Sequence, residues 1–477
     1  MTRSVYVIQF LAIALFGIGE PRIGFSEEPA AASETMPSLP SADAVAATGS
    51  DDSGPALLPQ ALADDTVSAS LVDAAAEQER TLKLYGFADF SYFDVHSGPH
   101  NILGAVLNRY GSFYVGNLNV YLDGQISDGF RSLAEIRLTY LPQGSPTISS
   151  NGTLTYQSTA AQDYAQFGLA ANWGGVILER AYLEYRFREW LSVQGGEFFT
   201  PYGIWVTDHG SPTLIGTNPP FIISSALFPE RQTGLMATGS FNLGDSSLRY
   251  FLTLSNGRCP LAQYRDLDSN KAVGGRLLLE GPWLGELRLG VSAYRGRDTD
   301  RVQILGLDGR GQPMATSVIR SQFDELALGA DVHFTWQSFL VAAEIIYNEA
   351  AYVRGHRPAT SDIPNALMPV GSPSVPAQPG TLAPDTQMFG GYAMLGYTLP
   401  WWNIMPFYIV EYFHENFPRL PGLSYVVMHN IGINARVRPE VVLKVQEMIA
   451  QFGTGPGGEY LSDGRLSAFT AQVAWVF

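Results

Sequence analysis

Segments of about ten residues in which polar and apolar side chains alternate recur along this chain from Leu82 to its C-terminus. In the clearest of them, 114–126, one face carries Tyr114, Leu118, Val120, Leu122 and Ile126, and the other carries Asn117, Asn119, Tyr121, Asp123 and Gln125. A period of two indicates a β-strand with one apolar and one polar face. The pattern therefore predicts an all-β fold in which each strand separates an apolar side from a wet one.

Two further segments repeat the pattern and place charged side chains on the polar face. In 130–140 that face carries Arg131, Glu135, Arg137 and Thr139. In 180–188 it carries Arg180, Tyr182, Glu184, Arg186 and Arg188. In a soluble sandwich these charges would face bulk water, and in a barrel they would face a wet lumen.

The last strand favours the barrel. Segment 467–477 reads SAFTAQVAWVF, with a wholly apolar face formed by Phe469, Ala471, Val473, Trp475 and Phe477. A strand with this pattern that ends at an aromatic residue suits a wall between lipid and a polar interior. The alternative is an edge strand of a soluble sandwich.

The spacing of the segments predicts about sixteen strands, with fourteen or eighteen as the alternatives. Tight connections such as 127–129, 244–246 and 281–285 alternate with long ones at 141–175, 200–232, 298–321, 353–386 and 452–466. Short periplasmic turns that alternate with long external loops, on an even number of antiparallel strands, are typical of a transmembrane β-barrel. Sixteen strands are enough to enclose an aqueous channel.

Residues 1–80 differ in composition from the rest of the chain. Arg3 precedes an apolar run from Val5 to about Ile18, followed by small residues, which predicts a signal peptide over 1–26. Residues 27–80 carry eleven acids and one base and almost no aromatic residues, which predicts a disordered periplasmic linker. The barrel is then expected over 81–477, in the outer membrane of a Gram-negative bacterium and in contact with its lipid.

Charge and cysteine content exclude several classes. The net charge is −16, but residues 1–80 hold 12 of the 45 acids and 3 of the 29 bases, so the remainder carries only −7. No basic stripe suggests a nucleic-acid partner. The single cysteine, Cys259, excludes an internal disulfide framework. No phosphate-binding loop, metal-ligand cluster or EF-hand pattern occurs, so we predict neither a cofactor nor a metal site.

Three stretches resemble known outer-membrane proteins. Residues 84–93 (LYGFADFSYF) look like the opening strand of bacterial porins, and 195–203 (GGEFFTPYG) with 228–232 (FPERQ) resembles a strand and inward loop of phosphate-selective and dicarboxylate-type porins. The last strand resembles the closing strand by which the barrel-assembly machinery recognises its clients, through Phe477 here. The resemblance implies a homotrimer. The chain departs from the phosphate-selective pattern in having no lysine-rich collar.

Arginines on the polar faces are the candidate pore-lining residues, because a guanidinium stays charged and grips a carboxylate or phosphate with two hydrogen bonds. The candidates are Arg131, Arg137, Arg180, Arg186, Arg249, Arg276 and Arg288, with Asp123 and Glu184 as counter-charges. The alternative is that these groups pair with one another across strands and stiffen the wall.

The segment 200–232 is the candidate constriction loop. It combines large apolar residues with Asp208, His209, Glu230 and Arg231, which an exposed loop would have no reason to do. Folding into the barrel would bury the apolar groups, and so would contact with a neighbouring subunit.

We therefore predict a porin through which small hydrophilic solutes, with some preference for anions, diffuse passively. A plugged barrel that acts as an anchor or adhesin is the alternative. An enzyme has little support, because no G-x-S-x-G turn accompanies the seven histidines.

Overall fold

Sixteen antiparallel strands form a closed barrel in the computed structural model, which describes residues 81–97, 111–139, 145–148, 154–157, 175–206, 210–258, 268–307, 313–357, 382, 384–400, 403–416, 425–453 and 465–477. The barrel strands are β1 Thr81–Ser97, β2 Ser112–Ser127, β3 Phe130–Thr139, β6 Gly175–Arg188, β7 Leu191–Phe199, β8 Arg231–Leu243, β9 Ser246–Ser255, β10 Ala272–Gly281, β11 Glu286–Leu307, β12 Pro313–Trp336, β13 Phe339–Tyr352, β14 Thr386–Tyr397, β15 Ile404–Glu415, β16 Tyr425–Arg438, β17 Val441–Phe452 and β18 Arg465–Val476. The predicted fold class and strand count are confirmed. The predicted signal peptide and linker lie outside the described residues.

Each barrel strand pairs with its neighbours in chain order, and β1 pairs with β18 to close the ring. At this seam Phe87 lies opposite Val476 and Ser91 opposite Gln472. The backbones of Gly86 and Phe477 exchange two hydrogen bonds of 2.9 and 3.0 Å. Closure leaves no unpaired sheet edge, which a strand-built wall requires inside lipid.

Two of the predicted long connections contain unexpected strand pairing. Strands β11 and β12 pair out to Leu307 and Pro313, so most of the predicted long connection 298–321 consists of paired strand. Paired strands keep their backbone hydrogen bonds satisfied beyond the rim, and the alternation that marks lipid-facing strands is not needed there. Within 141–175, β4 (Ser145–Ile148) and β5 (Leu154–Gln157) form a two-stranded ribbon.

The barrel has an apolar outer face and a polar inner one. Exposed outward residues include Leu84, Leu122, Leu183, Leu235, Leu252, Leu277, Val291, Leu328, Ile345, Leu395 and Val445. Buried inward residues include Asn119, Glu135, Gln194, Gln232, Thr253, Arg276, Glu344, Glu411 and Gln446. An apolar outer face and a polar inner face are expected of a barrel that is surrounded by lipid. Among the described residues, no helix is long and apolar enough to cross a membrane.

One predicted orientation is wrong. Tyr114 was expected on the outer face with Leu118, but Phe113 and Val115 are exposed there instead, and Tyr114 lies opposite the buried Ser91. The register between β1 and β2 shifts between Ala88 and Phe90. Because such a bulge adds one residue to a strand, it reverses which residues face the lumen beyond it.

Candidate functional site in the barrel lumen

The inner wall formed by β3 and β6 carries four of the predicted arginines. Near the rim with the short turns, Arg131 donates two hydrogen bonds of 2.8 Å to the carboxylate of Asp123. Its third nitrogen lies 3.9 Å from Glu184. Arg186 lies on the same face nearer that rim, and among the described residues it forms no ion pair. Asp123, Arg131 and Glu184 thus pair across neighbouring strands, which is the alternative to a pore-lining role. Their role as pore-lining charges stays a prediction.

A second group lies further along the same wall. Arg180 Nε lies 2.7 Å from Glu135, and the guanidinium is stacked on the rings of Tyr121 and Phe199 at 5.5 and 5.2 Å from their centroids. Arg137 Nε lies 2.9 Å from Glu179, whose other oxygen lies 3.0 Å from Arg231. Two carboxylates therefore hold three guanidinium groups in fixed positions.

The remaining predicted arginines lie on β9, β10 and β11. Arg249 and Arg288 flank Glu280 at 3.7 and 3.3 Å, at the rim with the short turns. Arg276 lies deeper, 2.6 Å from Asp331. All three side chains share the inward face with Thr253, Leu278 and Ser292.

Exposure differs systematically within these pairs. The arginine is more exposed than its carboxylate in each described pair on the inner wall: 37% against 17% for Arg131 and Asp123, and 20% against 0% for Arg180 and Glu135. Glu230 is the exception, since it is 51% exposed where β8 begins and lies 3.5 Å from Arg231. The carboxylates lie beneath the guanidinium groups, so the accessible face of the wall is cationic.

The described parts of loop 200–230 pack against the inner wall on the other side of the ring. Tyr202, Trp205, Phe221 and Leu227 are buried there. They join a cluster with inward residues of β13 to β17, which include Ile346, Tyr392, Phe407, Phe413 and Met428. The loop covers these apolar inward residues, which departs from the expectation that inward side chains face a wet lumen.

Polar side chains hold the backbone of the loop. Lys444 Nζ donates to the carbonyl oxygens of Ser211 and Gly216 at 2.6 and 2.9 Å. Gln446 accepts a hydrogen bond from the N–H of Thr217 at 3.0 Å, and Glu411 accepts one from Phe221 at 2.5 Å. Phe221 begins a short helix, α1 (Phe221–Ser224).

The two ends of the loop are held in the same way. Glu344 accepts from the N–H of Ile204, and Arg276 donates to the carbonyl of Gly203. Near the other end, Arg258 donates to the carbonyls of Ala226 and Leu227 and to Glu325. Burial opposes the charge of Arg258, but the carboxylate of Glu325 outweighs it, so the pKa of Arg258 lies above its usual value.

The predicted loop residues have different positions. Asp208 and His209 lie outside the described residues. Glu230 ends the loop, and Arg231 belongs to β8, from which its side chain reaches Glu179. Ser211 near the loop tip donates a hydrogen bond to Asp89 on β1, and the amide of Asn117 on β2 donates to Ser211 at 3.2 Å.

Sequence reasoning missed several residues that organise the site. Glu179 was overlooked because it occupies a bulge between Glu135 and Ile136, where β6 departs from strict alternation. Glu344 lies between Ala342 and Ile346 on the inward face of β13, and Glu411 lies between Ile409 and Phe413 on that of β15. That pattern was a usable signal, because a carboxylate among inward apolar groups needs a partner from elsewhere in the chain.

Among the comparisons with known proteins, only the one with solved structures finds matches. No protein-family model and no curated protein matches this chain. Among solved structures it is similar to a loop-deletion mutant of OmpT, an outer membrane protein of Vibrio cholerae (8% identity, TM-score 0.48, 84% of this chain and 100% of that one). It is also similar to an anion-selective porin from Comamonas acidovorans (10%, 0.48, 84% and 100%) and to the outer membrane channel DcaP of Acinetobacter baumannii (12%, 0.46, 83% and 97%).

Because these TM-scores lie below 0.5, functional conclusions rest on the geometry of the barrel. A closed, even-stranded barrel with an apolar outer face is typical of proteins of the Gram-negative outer membrane. This is the location that the sequence predicts. None of the comparisons supports the narrower likeness to phosphate-selective porins, which stays a prediction.

Proposed function

We propose that this barrel is a porin through which small hydrophilic solutes diffuse passively, with a preference for anions. The observation that carries the proposal is the exposure difference on the inner wall, where Arg131 and Arg180 are more accessible than their partners Asp123 and Glu135. Charges that line a passage bias it according to their accessible sign and not only their sum.

Loop 200–230 would form the constriction. Its contacts with β9, β10, β12–β17, β1 and β2 leave it beside the wall formed by β3 and β6. A solute would then pass between the loop and the surface that carries Arg131, Arg180 and Arg186. The loop would narrow the passage, and the arginines of the wall would set the electric field within it.

The ion pairs serve this role by positioning the arginines. A guanidinium held through one edge by a carboxylate keeps its other N–H groups available for an oxygen of a passing anion. The contact stays weak because the carboxylate already neutralises part of the charge. Weak binding at several sites favours rapid transit.

The resemblance to porins adds two proposals about partners. The chain would assemble as a homotrimer, and the assembly machinery would recognise its terminal strand through Phe477. Phe477 is 56% exposed, so its ring is available to a receptor.

Single-channel recording in a planar bilayer under a salt gradient tests the function. We expect steady ohmic steps and a reversal potential of the sign that anion preference requires, reduced in the variants Arg131→Gln and Arg180→Gln. A cation-selective pore that is insensitive to both variants would overturn the preference. Folded protein without conductance would overturn the channel itself and favour the plugged barrel.

A further inference from the structure

Two acidic side chains lie directly opposite each other beneath the start of loop 200–230. Asp331 on β12 pairs in register with Glu344 on β13, and the two residues are only 7% and 2% exposed. Both side chains point inward, since Asp331 contacts Arg276 and Glu344 contacts the backbone of the loop at Ile204. Side chains in directly opposite positions of this kind have their Cβ atoms about 5 Å apart. The inner wall therefore holds two buried carboxyl groups side by side.

In the described part of the chain, one guanidinium group contacts this pair. Arg276 lies 2.6 Å from Asp331 Oδ1 and also donates to the carbonyl of Gly203. Glu344 forms no ion pair with any described residue. The other titratable or charged groups nearby are Tyr392 opposite Glu344 on β14, and, towards the rim with the short turns, His333 on β12 and Arg288 opposite it on β11. A negative charge on Glu344 would be buried without a counter-charge of its own, which is unfavourable.

Each carboxyl group also has one oxygen that lacks a donor. Asp331 Oδ2 and Glu344 Oε1 are buried, and no described residue donates a hydrogen bond to either atom. Glu344 Oε2, by contrast, accepts from the N–H of Ile204 at 3.2 Å and from the hydroxyl of Tyr392 at 3.4 Å. A protonated carboxyl group is a donor as well as an acceptor. One proton on Glu344 would therefore supply the missing donor and remove the uncompensated charge.

We propose that Asp331 and Glu344 hold one proton between them, and that this proton fastens the start of loop 200–230 to the inner wall. Glu344 is the neutral member of the pair, because Arg276 stabilises the negative charge of Asp331. Its hydroxyl donates to Asp331, while its carbonyl oxygen accepts from the loop. Two carboxyl groups that share a site do not both ionise readily. Loss of the proton would place two negative charges against one guanidinium beneath the loop.

The shared proton couples the stability of the barrel to pH. A glutamic acid in water loses its proton at about pH 4.3, so the unfolded chain is deprotonated at neutral pH, whereas the folded barrel keeps the proton. Folding then takes up one proton. The resulting stabilisation is complete in acid and is lost as the pH rises, until Glu344 ionises in the folded barrel as well. Over that range the equilibrium constant of unfolding should increase about tenfold for each pH unit.

Infrared difference spectra of the folded full-length protein at neutral pH test for the proton directly, because a protonated carboxyl group absorbs apart from a carboxylate. We expect the band of the protonated group in the wild-type minus Glu344→Gln spectrum. It should also appear in the wild-type minus Asp331→Asn spectrum, since Glu344 then has Arg276 to itself and ionises. Glu325→Gln is the matched control, because Glu325 is similarly buried on β12 but lies 2.7 Å from Arg258, and its difference spectrum should lack the band.

Two results would overturn the proposal. A wild-type minus Glu344→Gln spectrum without the band would mean that Glu344 is ionised in the barrel. Retention of the band in Asp331→Asn would mean that burial alone protonates Glu344 and that the two groups share nothing.

The pH dependence of unfolding separates the proton from a merely structural role of Glu344. The urea midpoint of the heat-dependent mobility shift is measured from about pH 5 to about pH 8. We expect the wild-type midpoint to fall as the pH rises, and Glu344→Gln to remove most of that slope, even where its midpoint is lower at every pH. Should this variant fail to fold, Asp331→Asn gives the same comparison, because it too leaves one carboxyl group beside Arg276. Parallel slopes in wild type and variant would contradict the shared proton. Neither readout requires conductance, so the test is independent of the proposed channel function.

Discussion

Arg180 and Glu135 form an ion pair across β6 and β3, with Nε 2.7 Å from Oε2, and only the arginine can be reached by water. Both charges belong to the inner wall, so they cancel in any count of net charge. A passing ion nevertheless meets the guanidinium first. The preference of the pore for anions or cations should therefore depend on which member of each ion pair is accessible.

Replacement of both partners separates accessibility from net charge. The double variant Arg180→Gln with Glu135→Gln removes one charge of each sign, so the net lumen charge is unchanged. A unit charge about 7 Å from an ion contributes roughly 0.6 kcal/mol in water, or roughly a threefold change in local concentration. We expect the anion-to-cation permeability ratio to fall by up to about that factor, measured as a smaller reversal potential in a salt gradient.

Arg295→Gln is the control for this measurement, because Arg295 is exposed on β11 between the inward residues Tyr294 and Gly296. It removes a positive charge from the outer face and should leave the reversal potential unaltered. An unaltered ratio in the double variant would show that net charge, and not accessibility, sets the preference.

The attachment of the loop through Lys444 leads to a second expectation. Lys444→Met removes both hydrogen bonds to Ser211 and Gly216. Hydrogen bonds from a charged donor contribute about 1.5–3 kcal/mol each. We expect the tip of loop 200–230 to detach from the wall, which should raise the current noise and change the mean open conductance. Lys271→Met, an exposed lysine, should leave the recordings as in the wild type.

The strand pattern was sufficient to predict the barrel, because outward positions such as Leu183 and Leu277 are constrained by lipid over the whole circumference. Arg131, Arg180 and Arg249 could be placed on the inward face for the same reason. The alternation of polar and apolar side chains is a local property of each strand, so it can be recognised in a single sequence.

The partners of these arginines could be predicted only in part. Glu179 lies at a bulge, and a bulge depends on how two strands align. The contacts of Lys444, Glu344 and Glu411 join residues more than a hundred positions apart in the chain. These three side chains contact loop 200–230 because of the path that the loop takes across the barrel. No local sequence pattern predicts that path.

Gly203 offers a test of how tightly the loop fits. Its φ of +74° lies in the left-handed region, and a Cβ there would collide with the carboxylate of Glu344. Gly203→Ala should therefore destabilise the barrel by the backbone strain of about 1–2 kcal/mol and by the collision in addition. Gly244→Ala is the matched control, because Gly244 has a φ of +71° with nothing near the added methyl group.

The comparison is made by urea titration of the heat-dependent mobility shift in detergent. Gly244→Ala reports strain alone, so the difference between the two midpoints reports the fit of the loop against Glu344. Equal urea midpoints would mean that the collision with Glu344 costs no free energy of unfolding. That result would contradict tight packing of the loop at Gly203.

The C-terminal residue allows closure of the barrel to be separated from recognition by the assembly machinery. Phe477 contributes backbone hydrogen bonds to Gly86, and its ring also lies close to that glycine. Phe477→Ala keeps the backbone bonds and removes the ring. We expect folding of purified protein into lipid vesicles to be nearly unaffected, while the amount of folded protein in the outer membrane of cells falls severalfold. Phe477→Tyr keeps an aromatic ring and should restore the cellular yield. A parallel loss in vesicles and in cells would assign the ring to closure of the seam, and the recognition role would be wrong.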